Sequence, residues 1–594
     1  MPRQKYCVGE RRQVRHPARQ NGMARFGVLS LLWCCMPQAS GQSVPPLGGI
    51  IPQGGSPVPL LAPTPPPAVG PGLSNAPPAV PAGAQGSVAV TAVTFEGATA
   101  FPMSRLGALA GGLTGPAVPL SALEEARAAI VSLYRGEGYA FVTADALLGA
   151  DGTLRFRIAE GFISEVRLDG DIGPAGTQVL RFLNRLLNIQ PLDVAALERQ
   201  LLLAQDIPGI TIRTVLRPAG TAPGALSLVA QVSRQAISGY LTADNRGPRF
   251  AGREQGLAAV QFNAFTEFGE RTELALFYAR GSTQVFGQAS VQAFIGGSGL
   301  QVRLYAGRGA ARPSGVLRGI GFEGETTTAG IALSYPVIRQ RSQTLNVIGG
   351  FDLLESEVRV EDGAGQTQLL ARDSLRVLRL GAEWTVFDLL LGESRPATNF
   401  LLARGSQGIA GLGATASDAP DASRLGARSG FTKFNAELTR TQALFAPWQG
   451  ALVSLQGTIA GQWSNDLLPL SEKFYLGGNR LGRGFFAGEV TGDRAIALSA
   501  ELQLATQHEV TAFGASLRLR PLYYTFYDHG RTFENRDTDP DRRLSSIGMG
   551  VRVQVNERFE AQIEGVRRLT RQPTSRNVPA LPEDALFWRV LARF

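Results

Sequence analysis

The second part of the chain, from residue 236 to residue 594, alternates apolar and polar side chains with a period of two. This alternation is typical of β-strands that face an apolar medium on one side and a polar one on the other. Turns rich in Gly, Asn, Asp and Arg separate sixteen runs, which begin near residues 237, 252, 271, 286, 300, 325, 343, 376, 399, 431, 449, 493, 515, 543, 558 and 584. Their spacing of about 22 residues predicts an all-β transmembrane barrel of about 16 antiparallel strands.

Two runs, residues 495–504 and 515–530, separate the two faces clearly. Glu501 in the first run and Arg518, Arg520 and Asp528 in the second lie on the polar faces. The apolar faces hold Ile496, Leu498, Ala500, Leu502, Leu504, Leu517, Leu519 and Tyr523. A membrane barrel turns the polar face toward its lumen, whereas a soluble sandwich turns the apolar face inward, and alternation alone does not distinguish them. We expect the four polar residues to face a lumen.

The last run ends the chain on an aromatic residue. Its apolar face carries Leu586, Trp588, Val590, Ala592 and Phe594, which alternate with Arg589 and Arg593. A terminal aromatic residue on the apolar face is similar to the signal by which outer-membrane barrels are recognised for assembly. We therefore predict that Phe594 is an assembly signal.

Residues 88–235 show a different pattern, which is repeated once. A strand, helical segments and two further strands fill residues 88–160, and the same order recurs in residues 161–235. In the first repeat, Ser121 and Glu124 have the spacing of a capping box at the start of a helix over residues 120–135. The pattern predicts two small α+β units of β-α-α-β-β order in tandem. A single α+β enzyme domain is the alternative reading of this part.

The N-terminal 87 residues have the composition of targeting and linker segments. Residues 26–36 form a short apolar run between Arg25 and a small-residue site near Gly41, which predicts a secretory signal peptide over residues 1–41, with translation start at Met23 as an alternative. Residues 42–87 are rich in Pro, Gly and Ala and are predicted to be a linker. All three cysteines, Cys7, Cys34 and Cys35, precede the predicted cleavage site, so the mature chain is expected to be free of thiols.

Charge and residue types argue against several classes of function. Six of the nine net positive charges lie in residues 1–25, so the remainder, at +3, gives no support to nucleic-acid binding. After residue 41 the chain has two histidines, His508 and His529, and two lysines, Lys433 and Lys473. We therefore expect no metal site, no nucleotide-phosphate loop, no cofactor and no enzymatic activity. His529 beside Asp528 is expected to be structural, because neighbours on a strand face opposite sides.

Residues 472–501 contain the most specific motif of the chain. Its characteristic residues are Phe474, Leu476, Gly477, Gly478, Arg483, Gly484, Phe485, Gly492, Asp493, Glu501 and Leu502. Shorter motifs elsewhere are Ile207-Pro208-Gly209, Asp244-Asn245-Arg246-Gly247, and Phe526, Asp528 and Gly530. In these residues the chain resembles the transporters of two-partner secretion, the TpsB proteins of ShlB/FhaC/HecB type, in the superfamily that includes BamA. The resemblance extends from about residue 88 to residue 594.

The resemblance implies a domain order and a site. Residues 88–160 and 161–235 would be POTRA domains, the second of ShlB type, in the periplasm, and residues 236–594 the barrel in the outer membrane. The loop with Gly482, Arg483, Gly484 and Phe485 would fold back into the lumen, where Arg483 would contact Asp528. Some members carry an N-terminal helix that plugs the pore, and the Pro-rich residues 43–86 depart from that pattern.

The implied function is secretion, with activation as a further option, of a partner exoprotein of TpsA type. Outer-membrane lipid and the barrel-assembly machinery are the other partners expected. Two alternatives are an outer-membrane protein assembly factor of BamA type, whose members typically carry more POTRA repeats, and a porin or surface adhesin, which would not need the two repeats.

Overall fold

The computed structural model describes residues 86–220, 222–248, 252–362, 365–416, 419–512, 514–574 and 579–594. The predicted signal peptide, the alternative start at Met23 and nearly all of the Pro-rich linker lie outside these residues. Within the described ranges, the helices are all too short or too polar to cross a membrane.

The first repeat is a small α+β unit with its own apolar core. Its central sheet has the order β2–β5–β4, and β1 pairs separately with β3. Leu106, Ile130, Tyr134, Leu154 and Phe156 are all fully buried between the helices and the sheet. The elements are β1 Ser87–Val90, β2 Ala92–Glu96, α1 Met103–Leu109, β3 Gly115–Pro119, α2 Leu120–Gly136, β4 Val142–Leu148 and β5 Thr153–Glu160.

The capping box predicted at the start of α2 is wrong. The N-cap is Pro119, with φ −64° and ψ 141°, and no side chain accepts a hydrogen bond there. Because the helix begins at Leu120, Ser121 already lies inside its first turn and cannot act as the N-cap. Glu124 instead forms an ion pair with Arg127 one turn later, with Nε and Oε2 2.7 Å apart.

The second repeat has the same core order of one strand, two helices and two strands, without a counterpart of the β1–β3 pair. Its sheet has the order β6–β8–β7, which leaves β7 as one edge. Asp193 caps the second helix by accepting a hydrogen bond of 2.9 Å from the amide of Ala195. The elements are β6 Phe162–Asp169, α3 Gly176–Leu183, α4 Val194–Gln205, β7 Ile210–Pro218 and β8 Ala225–Arg234.

The remaining strands close into a barrel of sixteen antiparallel strands, which confirms the predicted fold class. The order follows the sequence, and the first strand, β9, pairs with the last, β27. The strands are β9 Ile237–Asp244, β10 Gln255–Asn263, β11 Arg271–Ala279, β12 Gln284–Ile295, β13 Leu300–Ala311, β14 Glu323–Arg339, β15 Gln343–Glu361, β16 Thr367–Asp388, β17 Ala397–Gly408, β18 Thr432–Phe445, β19 Ala451–Trp463, β22 Arg494–Thr506 with its short continuation β23 His508–Ala512, β24 Ala515–Phe533, β25 Arg542–Val555, β26 Phe559–Arg568 and β27 Asp584–Arg593. A small hairpin, β20 Phe474–Leu476 and β21 Val490–Gly492, lies in the connection between β19 and β22.

The apolar face of the strands points outward. On β22, Ile496 is 47% and Leu502 46% exposed, whereas Glu501 between them is 5% exposed. A soluble sandwich would bury the apolar side, so this pattern distinguishes the membrane barrel from it.

The longest strands show where the apolar belt ends. On the outward face of β15 the residues are apolar from Leu345 to Leu353 and charged from Glu355 onward, and on β16 the change falls between Leu378 and Arg376. These apolar stretches have the length of a membrane strand. The polar part of β16 explains why the sequence placed its start near residue 376, whereas it begins at Thr367. The other fifteen predicted starts lie within three residues of the observed ones.

The second repeat docks on one end of the barrel, which we call the proximal end. Arg339 at the end of β14 makes two hydrogen bonds, of 2.7 and 2.8 Å, to the carboxylate of Asp206 beside α4. The rings of Phe182 on α3 and Phe294 on β12 pack edge to face at 5.2 Å. The connection between β19 and β22 therefore starts at the opposite, distal end.

Candidate functional site

The connection of residues 464–493 folds back from the distal end into the barrel lumen. Its hairpin of β20 and β21 leads to a tip that includes Gly482, Arg483, Gly484 and Phe485, the residues of the sequence motif. Phe485 is fully buried and Arg483 is 6% exposed, so the tip is enclosed by the barrel wall.

The side chain of Arg483 is bound to two neighbouring strands of the wall. Its Nη2 donates to Oδ1 of Asp528 on β24 at 3.0 Å, and its Nε donates to Oδ2 at 3.1 Å. Nη1 forms an ion pair with Glu501 on β22, and Nη2 also donates to Oγ of Ser499 at 3.0 Å. The guanidinium lies 3.7 Å from the ring centre of Phe526. A fully buried carboxylate is thus matched by a planar cation with two parallel donors, an arrangement that lysine could not provide.

Two positions of the motif require glycine, one because of its backbone conformation and the other because the loop lies close to the barrel wall. Gly482 has φ +77°, in the left-handed region that favours glycine. A Cβ on Gly484 would lie 2.5 Å from Cβ of Ser546 on β25, so any larger residue would push the tip off the wall. The amide of Gly484 donates to Oγ of the same serine at 3.2 Å.

The aromatic part of the tip fills an apolar pocket inside the barrel. Phe485 packs in one cluster with Leu544 of β25 and Val566 of β26. Leu476 of β20 is fully buried in the same cluster, near Gly530 of β24. Apolar burial and the ion pairs of Arg483 hold the tip together against the same part of the wall.

The polar residues predicted to face the lumen divide into two groups. Glu501 and Asp528 contact the tip, as described. Arg518 and Arg520 lie on the same side of β24 as Asp528, but near its proximal end, where both are exposed. Arg518 lies 3.7 Å from Glu509 at that end, so the structure does not bring it to the loop.

Two arginines that were not predicted from the sequence bind the main chain of the tip. Arg246, in the turn after β9, donates to the carbonyl oxygens of Gly478, at 3.1 Å, and Arg483. Arg568 on β26 donates to the carbonyl oxygen of Gly484 at 2.6 Å. Arg246 belongs to the matching motif Asp244–Gly247, but no role was inferred for it. Its place in that motif is the feature of the sequence that could have pointed to Arg246. Its contacts could not be predicted, because they depend on the path of the loop.

A second buried cluster of charges joins three distal connections. Arg424 is bound to Asp493 at 2.6 Å, to Glu534 at 2.8 Å and to Asp539 at 3.0 Å, with its side chain 2% exposed. Lys473 adds a bond of 2.7 Å to Glu534. This cluster, which we call the distal cluster, fixes the base of the folded loop to the connections on either side, and the sequence did not predict it.

The described residues offer no group of three His, Cys, Asp or Glu side chains that could hold a metal ion. Asp528 faces Arg483 in the lumen, and His529 turns to the other side, where its Nδ1 lies 2.8 Å from Oγ of Ser545. The two neighbours therefore do not form an acid–base pair.

Two family models match the chain. The model of the haemolysin secretion/activation protein ShlB/FhaC/HecB matches residues 225–553, and that of the ShlB-type POTRA domain matches residues 88–161. The heme/hemopexin transporter protein HuxB of Haemophilus influenzae (strain 86-028NP) is 22% identical over 455 residues, which cover 74% of this chain and 75% of HuxB.

Solved structures share the fold. CdiB from Escherichia coli superposes with a TM-score of 0.68 at 17% identity, over 87% of this chain and 92% of that one. CdiB from Acinetobacter baumannii gives 0.59 at 14% identity, over 86% and 90%. These two superpositions, the family models and the folded-back loop together identify the architecture as a POTRA repeat followed by a barrel. The chain belongs to the ShlB/FhaC/HecB family and is an outer-membrane transporter that secretes a partner protein, with its POTRA domains in the periplasm.

Proposed function

We propose that an unfolded exoprotein of TpsA type adds a strand to the edge of the second repeat and then crosses the barrel after the Arg483 loop has moved aside. The observation that carries the proposal is the position of this loop. It occupies the lumen, and polar contacts and side-chain packing attach its tip to the wall. Such contacts can be broken and remade without unfolding the barrel.

The edge strand β7 is a suitable docking site for an extended chain. It pairs with β8 on one side only, and Val215 on it is 43% exposed. An edge strand presents unpaired main-chain groups that an extended peptide can complete, with little demand on its sequence.

The position of β7 would also direct the client toward the lumen. The strand begins next to the first barrel strand, where the amide of Gln235 donates to the carbonyl oxygen of Gly209 at 2.8 Å. A Cβ on Gly209 would lie 2.6 Å from Cβ of Asn263, at the proximal end of β10. A strand added to β7 would therefore have one end at the mouth of the barrel.

The lumen wall suits an extended chain in transit. Gln288, Ser290 and Glu273 are among the buried polar residues of the inner face. An extended polypeptide carries unpaired amide and carbonyl groups, which need polar or wet surroundings. The periplasm contains no nucleotide that could drive export. Folding of the client outside the cell would then make export favourable.

Photo-crosslinking tests the docking edge. A photoreactive residue at Val215 should capture the exoprotein during secretion, and one at Leu147, 41% exposed on the edge strand β4 of the first repeat, is the matched control. Stronger capture at Leu147 than at Val215 would contradict the assignment to β7. Deletion of residues 88–160 should abolish secretion and leave the barrel in the membrane, and undiminished secretion would show that export does not need the first repeat.

The remaining partners are part of the same proposal. The outward apolar belt is expected to contact outer-membrane lipid. Phe594, 55% exposed on that face, is expected to present the assembly signal to the barrel-assembly machinery. No catalytic step is required for this mechanism.

A further inference from the structure

The seam at which the barrel closes is short. Strands β9 and β27 pair from Tyr240 to Asp244, opposite Arg589 to Arg593. Gly239 and Phe594 add a backbone pair at one end, and the amide of Asn245 donates to the carbonyl oxygen of Trp588 at 3.4 Å at the other. By comparison, β10 and β11 pair along the whole of Gln255–Asn263. Because each backbone pair adds to the stability of a strand interface, a short seam depends more on contacts beyond the strands themselves.

Asn245 extends the seam with its side chain. Its Nδ2 donates to the carbonyl oxygen of Leu586 at 3.0 Å, and its Oδ1 accepts from the amide of Trp588 at 2.9 Å. The amide group thus satisfies main-chain groups of β27 beyond the point where the backbone pairing with β9 stops.

Arg246, the next residue, reaches into the lumen and contacts both the loop and the last strands. Its side chain, 4% exposed, binds the carbonyl oxygens of Gly478 and Arg483, forms an ion pair with Glu564 on β26, and lies 4.1 Å from the ring centre of Phe587 on β27. The carbonyl oxygen of Arg246 also accepts from the amide of Ala487 in the loop at 3.0 Å.

We infer that the Asn245-Arg246 turn is a clasp that couples the position of the Arg483 loop to the closure of the β9–β27 seam. Arg246 is a positioning residue: it acts on the client only through the loop and the seam. The inference deepens the proposed function, since it rests on the loop leaving the lumen during export.

The coupling follows from the burial of the guanidinium. When the loop leaves, Arg246 keeps its ion pair with Glu564 but loses two main-chain acceptors, and unmatched donors on a buried cation are costly. The guanidinium then has to turn these donors toward water, which shifts it away from Phe587 and removes a contact at the distal end of the seam. Coupling between two sites is reciprocal, so a tightly closed seam also favours the loop inside the lumen.

Hydrogen exchange without any client tests the clasp. The full-length protein in lipid nanodiscs is compared with Arg246→Gln, and Arg253→Gln, an exposed arginine near the end of the same turn that stacks on Phe486 of the loop at 4.8 Å, is the matched control. We expect exchange of the seam amides in residues 239–244 and 586–593 to be faster on the order of tenfold in Arg246→Gln, the effect of losing a hydrogen bond to a charged group. The control should leave it unchanged.

The loop is followed in the same samples by a single cysteine. Asn479→Cys lies at an exposed position of the tip, and residues 36–594 contain no native cysteine. Labelling with a membrane-impermeant maleimide should be faster in Arg246→Gln than in Arg253→Gln. Arg483→Ala should also make hydrogen exchange of the seam amides faster. In the double variant with Arg246→Gln, exchange should be no faster than in Arg246→Gln alone.

Faster labelling with an unchanged seam would overturn the coupling, and no change in either would overturn the positioning role. Heat-modifiable gel mobility establishes that each barrel is folded. If Arg246→Gln does not assemble, Arg246→Lys, which keeps the charge beside Glu564, is subjected to the same measurements. Because no exoprotein is present, the result is independent of whether the proposed docking on β7 is right.

Discussion

The carboxylate of Asp528 accepts three hydrogen bonds from one residue, Arg483, which lies 45 positions earlier in the chain: the backbone amide at 2.8 Å, Nε at 3.1 Å and Nη2 at 3.0 Å. The barrel wall therefore fixes both the main chain and the side chain of the loop tip through a single buried group. Removal of either partner affects the same interaction, and this determines how the two single variants and the double variant should compare.

Arg483→Ala and Asp528→Ala should each lower secretion to a similar extent. Each leaves a buried group unmatched, at a cost on the order of a few kcal/mol. The strand pairing is untouched, so the barrel should still show heat-modifiable mobility. In a secretion assay the double variant should be no worse than either single one, because two partners of one interaction are not additive. Independent, additive losses would argue against direct pairing.

Arg424→Gln should loosen the distal end of the barrel. The change leaves the carboxylates of Asp493, Glu534 and Asp539 without their shared cation. Arg531→Gln is the matched control, since Arg531 is 53% exposed and its ion pair with Asp541, at 3.4 Å, is expected to contribute little. We expect higher ion conductance in planar bilayers for Arg424→Gln and no change for the control. Equal conductance of the two variants would show that the distal cluster does not help to close the barrel.

Glu160 should make the first repeat sensitive to acid. Burial alone raises the pKa of this carboxyl, but hydrogen bonds from Thr99, Tyr134 and the amide of Ala100 outweigh burial and hold the pKa below its ordinary value. The pKa of Glu160 is thus lower in the folded protein than in the unfolded chain, where it is about 4.3. The stability that these bonds contribute is therefore fully present above the unfolded pKa and is lost as the pH falls through the folded pKa.

Glu160→Gln tests whether the ionised carboxylate stabilises the first repeat. In the full-length protein, the amides of residues 92–160 should exchange faster in the variant at neutral pH. After correction for the intrinsic effect of pH, the difference from the unsubstituted protein should shrink in acid. The exposed Glu125→Gln is the control. A difference that grows as the pH falls would show that the carboxylate does not stabilise the repeat.

Phe594→Ala should reduce the amount of assembled barrel. The ring lies on the outward face over Gly239, where an added Cβ would lie 2.5 Å from Cζ of the phenylalanine. Val590→Ala removes apolar surface from the same face of β27 and serves as control. The fraction with heat-modifiable mobility should fall for Phe594→Ala alone, and equal fractions would leave Phe594 without a special part in assembly.

The sequence predicted the strands because the two faces of each strand meet different media. Membrane on one side and polar lumen on the other impose a period of two, and β22 follows it, with Glu501 5% exposed and Ile496 47% exposed. The same rule failed where a strand leaves the membrane, as at the start of β16, because Arg372 and Ser374 there replace the apolar residues.

Contacts across the lumen could be predicted only in part. The resemblance to the family led us to expect Arg483 beside Asp528. The contacts of Arg246, Arg568 and Arg424 depend on where loops lie in space, between residues far apart in the chain, and no local pattern encodes that. Arg518 and Arg520 were placed on the correct face of β24, but alternation carries no information on depth along a strand.

A tether between the loop and the wall tests the central claim, that the loop must leave the lumen for export. Leu476 of β20 and Gly530 of β24 are suitable positions for a disulfide, since a Cβ on Gly530 would lie 3.5 Å from Cγ of Leu476 and the two side chains would be in direct contact. The single variant Leu476→Cys under the same oxidant is the control, and gel mobility establishes that the disulfide forms. Secretion by Leu476→Cys/Gly530→Cys should stop when the pair is oxidised and return on reduction. Undiminished secretion by the oxidised pair would contradict the account.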